Sequence, residues 1–193
     1  MFNLDKKYIS ENVETGGTTI NKSGCYDVVI SEAKIWKSDK RNSKSESLNI
    51  KFNDLTTNKK AWLNLFYKGR NGQDIEFNTR HITHLAYLLN VNPEDDNGGN
   101  INAFKDKTIV VFLVVKAVDL DNGGQGYDFS LQGFYDPRTR LTAKEKSENL
   151  SAEIYNKFVE KFKDAEEIEL NSNSNKNTSD EGFFPVNNDD IPF

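Results

Sequence analysis

Apolar and polar positions alternate with period two over two early stretches of the chain, after a third that is more continuously apolar. Tyr26 to Lys37 is apolar and β-rich; Gly24 precedes it and a polar, basic run from Ser38 to Lys44 follows, which predicts a long strand and a hairpin loop. From Ser47 to Asn53, Leu48, Ile50 and Phe52 point one way, while Ser47, Asn49, Lys51 and Asn53 point the other. That pattern predicts a half-buried strand. After a turn at Thr56-Thr57-Asn58, Lys59 to Lys68 alternates again: Ala61, Leu63, Leu65 and Tyr67 share one face, Trp62, Asn64, Phe66 and Lys68 the other. Gly69 to Gly72 breaks the pattern, and the period then changes. Ile82, Leu85, Ala86 and Leu89 stand at i, i+3, i+4 and i+7, which predicts a helix capped by Asn78 or Thr79 and running to about Asn90. A loop follows over Asn92 to Asn102. Lys107 to Leu120 is apolar on both faces and so predicts a central strand. Asp121-Asn122-Gly123-Gly124 is a hairpin turn, and Gly126 to Tyr135 is strand five.

Three meander strands, a helix and a hairpin follow the order of a five-stranded OB-fold barrel, with the helix between strands three and four. Other five-stranded arrangements also fit that order. The fold class expected is therefore mainly β. Beyond strand five, Thr142-Ala143-Lys144-Glu145 is a capping-box pattern. Ile154, Phe158, Phe162 and Ala165 then predict a weakly amphipathic helix that packs on the barrel or on a second subunit. Asn171 to Asp180 is almost wholly Asn, Ser, Lys and Thr, a composition that cannot offset its own ordering entropy. The expected organisation is a loose lead-in over 1–23, the OB-fold over 24–141, a helical extension over 142–170 and a disordered acidic tail over 171–193.

Charge changes the picture. The 193 residues carry a net charge of −5, which argues against a nucleic-acid binder. Its distribution argues the other way. Residues 151–193 hold 4 Lys/Arg against 10 Asp/Glu, whereas residues 34–80 hold 11 against 5. A basic band thus precedes an acidic tail. No apolar run approaches the ~18 residues of a membrane span. Met1 to Lys7 has no apolar signal core, and Cys25 is the only cysteine, so a cytoplasmic protein without disulfides is expected.

The basic band also carries aromatics. A groove for single strands needs flat rings that stack on bases and cations that neutralise phosphates. Trp62, Phe66 and Lys68 on strand three, Lys51 on strand two and Lys34 and Trp36 on strand one supply both. Lys37, Lys40, Arg41 and Lys44 line the first hairpin. The opposite assignment puts Trp62 and Phe66 in the core and turns Leu63 and Leu65 outward. On strand five, Tyr127, Phe129 and Tyr135 are expected in the core, with Phe134 opposite and bordering the groove. His81 and His84 form half a metal site at most, because no Cys pair or further His completes it. Asp119 to Gly123 lacks the later Glu of a calcium loop. No phosphate-binding Gly-Lys-Ser/Thr motif and no supported Ser-His-Asp set occurs, so neither an enzyme nor a cofactor is expected.

The chain ends in Asp189-Asp190-Ile191-Pro192-Phe193, two carboxylates before an apolar tip. This resembles the acidic tip of bacterial single-stranded DNA-binding proteins. Asn187 and Asn188 stand where that family's tips carry more Asp, which implies weaker electrostatic docking. From about Gly24 to Ala143, including Gly133-Phe134-Tyr135-Asp136, the body resembles phage-encoded single-stranded DNA-binding domains. The resemblances imply a non-enzymatic protein that coats exposed DNA in replication, recombination or repair. They also imply that Asp189, Asp190, Ile191, Pro192 and Phe193 recruit partner proteins. A homo-oligomer is compatible with this reading. A replication adaptor whose OB-fold binds protein is the alternative, and a strand-annealing protein would share the same body.

Overall fold

The three early stretches become strands within one or two residues of their expected limits. In the computed structural model, which describes residues 19–38, 40, 42–93, 99–120 and 124–170, β1 is Gly24–Lys37, β2 Glu46–Asp54 and β3 Lys60–Lys68. Helix α1 spans Glu76–Leu89, β4 Thr108–Asp119 and β5 Gln125–Tyr135; two more helices, α2 over Ala143–Ser147 and α3 over Glu153–Phe162, follow. The strands form one antiparallel sheet in the order β3-β2-β1-β4-β5. Among the described residues no strand ladder joins its edges, β3 and β5. No described helix is long and apolar enough to cross a membrane.

β1 is shared between both halves of the sheet. Its first half, Gly24 to Val29, pairs with β4, and β2 flanks it from Val28 to Lys37. A bulge at Ser31 bends it between the two. Past the bulge, its free edge is met by a short segment: Ile35 N–H donates to Gly99 O at 2.7 Å, and Ile101 N–H to Ala33 O at 2.9 Å. Gly99 sits at φ +85°, and a Cβ there would lie 2.6 Å from Ile35 O, so only glycine fits.

The inward positions fill the main core as their period requires. Leu48, Ile50 and Phe52 of β2, Ala61, Leu63 and Leu65 of β3, and Ile109, Val111, Leu113 and Val115 of β4 are buried there. Leu85 and Leu88 of α1 close one end. The other face of β4, Val110 and Phe112, is also buried, because α3 lies over it with Tyr155, Phe158 and Phe162. β4 is thus covered on both sides, as its continuous apolar run requires.

One expectation fails for a local reason. α1 starts at Glu76, not at Asn78 or Thr79. The Asn78 Nδ2 donates instead to Phe66 O at 2.8 Å, and the Thr79 hydroxyl donates to Ile75 O, so neither side chain caps. The expected capping box is present, with Thr142 accepting from Glu145 N–H, and it starts the five-residue α2. The Glu145 carboxylate also accepts from Ile154 N–H at 3.0 Å. It thereby supplies the cap that Ala152, at the head of α3, lacks.

Residues 19–23 are part of the fold and not a loose arm. Ile20 is 1% exposed and its N–H donates to Lys60 O at 2.8 Å. Lys22 bridges antiparallel to Glu167, and Ile168 N–H donates to Asn21 O at 2.7 Å. Ile168 O in turn accepts from the Tyr127 hydroxyl of β5 at 3.0 Å. The segment around Ile168 therefore links the β3 side of the sheet to β5. The expected 171–193 tail, residues 1–18 of the lead-in and most of the Asp121-Asn122-Gly123-Gly124 turn lie outside the described residues.

Candidate nucleic-acid interface

Register places the candidate residues in rows across three strands. Trp36 pairs with Ser47, and Ser47 with Phe66. The next row is Lys34, Asn49 and Asn64, and the third is Glu32, Lys51 and Trp62. All nine alternate with the core positions along their strands, but Trp62 also packs against the main core. Aromatic rows thus flank a polar middle row.

Within the first row the Trp36 and Phe66 rings meet edge to face, 6.3 Å between centroids. Ser47 is buried beneath them and its hydroxyl donates to Asn49 Oδ1 at 2.9 Å. Lys34 is exposed and Asn64 half-buried. Asn64 Oδ1 is buried and has no hydrogen-bond partner among the described residues.

The other sequence-predicted residues divide. Trp62 is half-buried and packs edge to face on Phe129 of β5, 4.9 Å between centroids. It therefore joins the two edges of the sheet as well as facing the surface. Lys51 Nζ lies 3.0 Å from Glu32 Oε2, and Lys68 Nζ 3.6 Å from Glu46 Oε1. Both pairs are partly exposed, so each contributes at most about 1 kcal/mol and a phosphate can displace the carboxylate. Glu32 and Glu46 escaped the sequence reading, because cross-strand neighbours become visible only with the register. Arg41 lies outside the described residues, as does the Asp189, Asp190, Ile191, Pro192 and Phe193 tip.

Beyond the first row, the strands end in Lys37, Glu46 and Lys68; a bulge at Tyr67 brings Lys68 level with Glu46. Here the loop from Ser38 to Ser45 folds against the turn after β3. Ser38 N–H donates to Ser45 O at 2.9 Å, and Lys44 N–H to Arg70 O at 2.8 Å. The result is a half-open depression of about 330 Å³ lined by Lys37, Ser38, Lys44, Ser45, Glu46, Lys68 and Gly72. Lys40 is exposed on the same loop.

Strand five departs from the expectation. Phe129 is in the main core, but Phe134 is there too and does not border the groove, while Tyr135 faces the other way, beneath α3. Tyr127 is half-buried against the main core. The cause is a bulge at Gln132: Leu113 pairs with Leu131 and Phe112 with Gly133. One extra residue exchanges the faces for everything after it.

His81 stacks edge-on to Phe77 at 4.6 Å and approaches Phe134 at 6.4 Å. Burial pushes the pKa of His81 below the ordinary value; it does the same to His84, with help from Arg80. Among the described residues no three His, Cys, Asp or Glu side chains gather as a metal set. Cys25 lies under α3, where burial raises its thiol to about 11, so it stays a protonated thiol.

No protein-family model matches the chain, and no curated protein matches it.

Proposed function

We propose that this protein is a non-enzymatic, sequence-tolerant single-stranded DNA-binding protein, and that bases stack across the β1–β2–β3 face. One observation carries the reading: two aromatic rows, Trp36/Phe66 and Trp62, flank a Lys34–Asn49–Asn64 row in continuous register. Rings for bases, cations for phosphates and amides for base edges then occur on one surface.

The sheet order, with α1 between β3 and β4, agrees with an OB-fold whose seam is closed by side chains, Trp62 on Phe129 among them. The resemblance of residues 24–143 to phage-encoded single-stranded DNA-binding domains points the same way. On this reading the Asp189-Asp190-Ile191-Pro192-Phe193 stretch recruits replication and recombination proteins. Its apolar side chains fill a pocket and its carboxylates meet a basic rim.

Trp36 and Trp62 are the only tryptophans, so emission during titration with oligo-dT tests the reading directly. Quenching is expected, with affinity that falls steeply as salt rises and with far weaker binding of duplex DNA. Neither quenching nor a mobility shift at low salt would reject it and leave the protein-binding adaptor.

A further inference from the structure

Between the start of β1 and the C-terminal half of α3 lies a half-open groove of about 300 Å³. Cys25, Tyr26, Phe112, Val159 and Phe162 line it, so most of its lining is apolar. Val159 remains 41% exposed there. The volume stands at the lower end of ligand clefts, so the groove holds a few side chains and not a folded partner. Lys22 and Lys163 add cations to the lining, Lys163 already paired with Glu160.

The chain passes beside this groove at the end of its described part. α3 ends at Phe162, in the lining, and Glu167 then bridges to Lys22, also in the lining. Leu170 follows three residues later. Residues 171–182 separate it from Phe183-Phe184-Pro185-Val186, four successive apolar residues. Neither the lead-in over 1–18 nor the 189–193 tip has such a run. A dozen residues can span at most about 40 Å, ample to bring the segment back to Lys22. A tethered segment meets a site within its reach at an effective concentration on the order of millimolar, so modest affinity holds it. Pro185 fixes one backbone angle beforehand and lowers the ordering cost. Asp180 and Glu181, just upstream of the segment, complement Lys22.

We propose that Phe183-Phe184-Pro185-Val186 docks in this groove of its own chain and so anchors the tail beside the start of β1. The proposal does not depend on the DNA-binding reading. The test uses the full chain with p-benzoylphenylalanine in place of Phe184, irradiated at low protein concentration. Cross-links within one chain to Cys25 and Tyr26, or to Val159 and Phe162, are expected. Cross-links that miss these residues, or that only join two chains, overturn the proposal. Cys25 gives an independent reading, since it lines the groove and is the only cysteine. Phe183→Ser/Phe184→Ser alters no residue of the described fold. It should raise Cys25 alkylation by N-ethylmaleimide roughly tenfold, the protection that a millimolar effective concentration gives at a Kd of about 0.1 mM. Phe193→Ser should leave the rate as it is. A rate unchanged by the double variant, or raised as much by Phe193→Ser, overturns the proposal.

Discussion

The two sides of β1 carry similar inventories of aromatic residues and use them in opposite ways. On one side, Trp36, Phe66 and Trp62 are half-buried and alternate with Lys34, Asn49, Asn64 and Lys51. On the other, Phe112 meets Tyr135, Tyr155, Phe158 and Phe162 with centroids 5.2 to 6.2 Å apart, and α3 seals the cluster. Arg140 then clamps Asp27 with two bonds, of 2.6 and 3.1 Å, and lies over the Tyr155 ring. An aromatic side chain is thus a structural or a binding element according to what covers it. Cover is decided by chain topology and not by residue type.

The largest test of that contrast is Phe112→Ala. It empties a fully buried site and should cost about 3–5 kcal/mol in a urea titration. Cys25, beside the cluster, should then react with a maleimide where the parent protein resists. A loss below about 1 kcal/mol would mean that α3 contributes little cover.

Trp36→Ala is the counterpart on the open face. It should weaken oligo-dT binding by roughly 1–3 kcal/mol and leave the urea midpoint nearly unchanged. Trp62→Ala should instead lower both, because Phe129 loses its neighbour. If Trp36→Ala destabilised the fold as strongly as Phe112→Ala, the two faces would not differ in kind.

Acid separates the faces in another way. Burial alone would raise the Asp136 carboxyl, but Lys146 and the Thr139 and Arg138 amides outweigh it and hold it at about 2. Hydrogen bonds from the Ile154 and Thr142 amides and the Thr142 hydroxyl likewise outweigh burial at Glu145, whose pKa is lowered. A depressed carboxyl pKa gives stability that is complete above the unfolded value, about 3.9 for Asp, and is lost as pH falls toward the folded one. Asp136 alone should cost on the order of 2 kcal/mol by pH 2, and Asp136→Asn should flatten that part of the profile. Stability measured from pH 6 to pH 2 checks this; a profile unchanged by Asp136→Asn would contradict it.

The smallest effect has the most informative sign. Glu32 pairs with Lys51, so on the proposed reading it competes with phosphate for that cation. Glu32→Gln should therefore tighten oligo-dT binding at low salt, by no more than about fivefold, and Lys51→Ala should lower the salt slope by about one. Weaker binding by Glu32→Gln would show that Lys51 does not face the DNA.

Period-two alternation made the strands legible, because any residue count that keeps Leu48, Ile50 and Phe52 inside also fixes what lies outside. The Thr142 to Glu145 box was legible for the same reason, since all its chemistry is within four residues. The Phe134 and Tyr135 faces were not, because the bulge at Gln132 leaves no mark in the alternation. Nor was the second cap made by Glu145, which depends on where Ile154 returns. Within the site, the aromatic and basic members were visible as types. Their rows, and the carboxylates that hold Lys51 and Lys68, needed the register.

The link between the Asn21–Lys22 segment and Glu167–Ile168 also governs when this fold can be completed. Asn21 Nδ2 and Glu167 Oε2 meet 3.4 Å apart although 146 positions separate them in the chain. Contacts of such long range form slowly, since the loop must close before they contribute. A ribosome emits about 5–20 residues per second, so roughly 7–30 seconds of synthesis separate the two partners. Through that interval β3 is made but the segment that ties it to the β5 side is not. Its partly formed edge is open to pairing with another nascent chain. Crowded translation is then a condition under which this protein should misassemble.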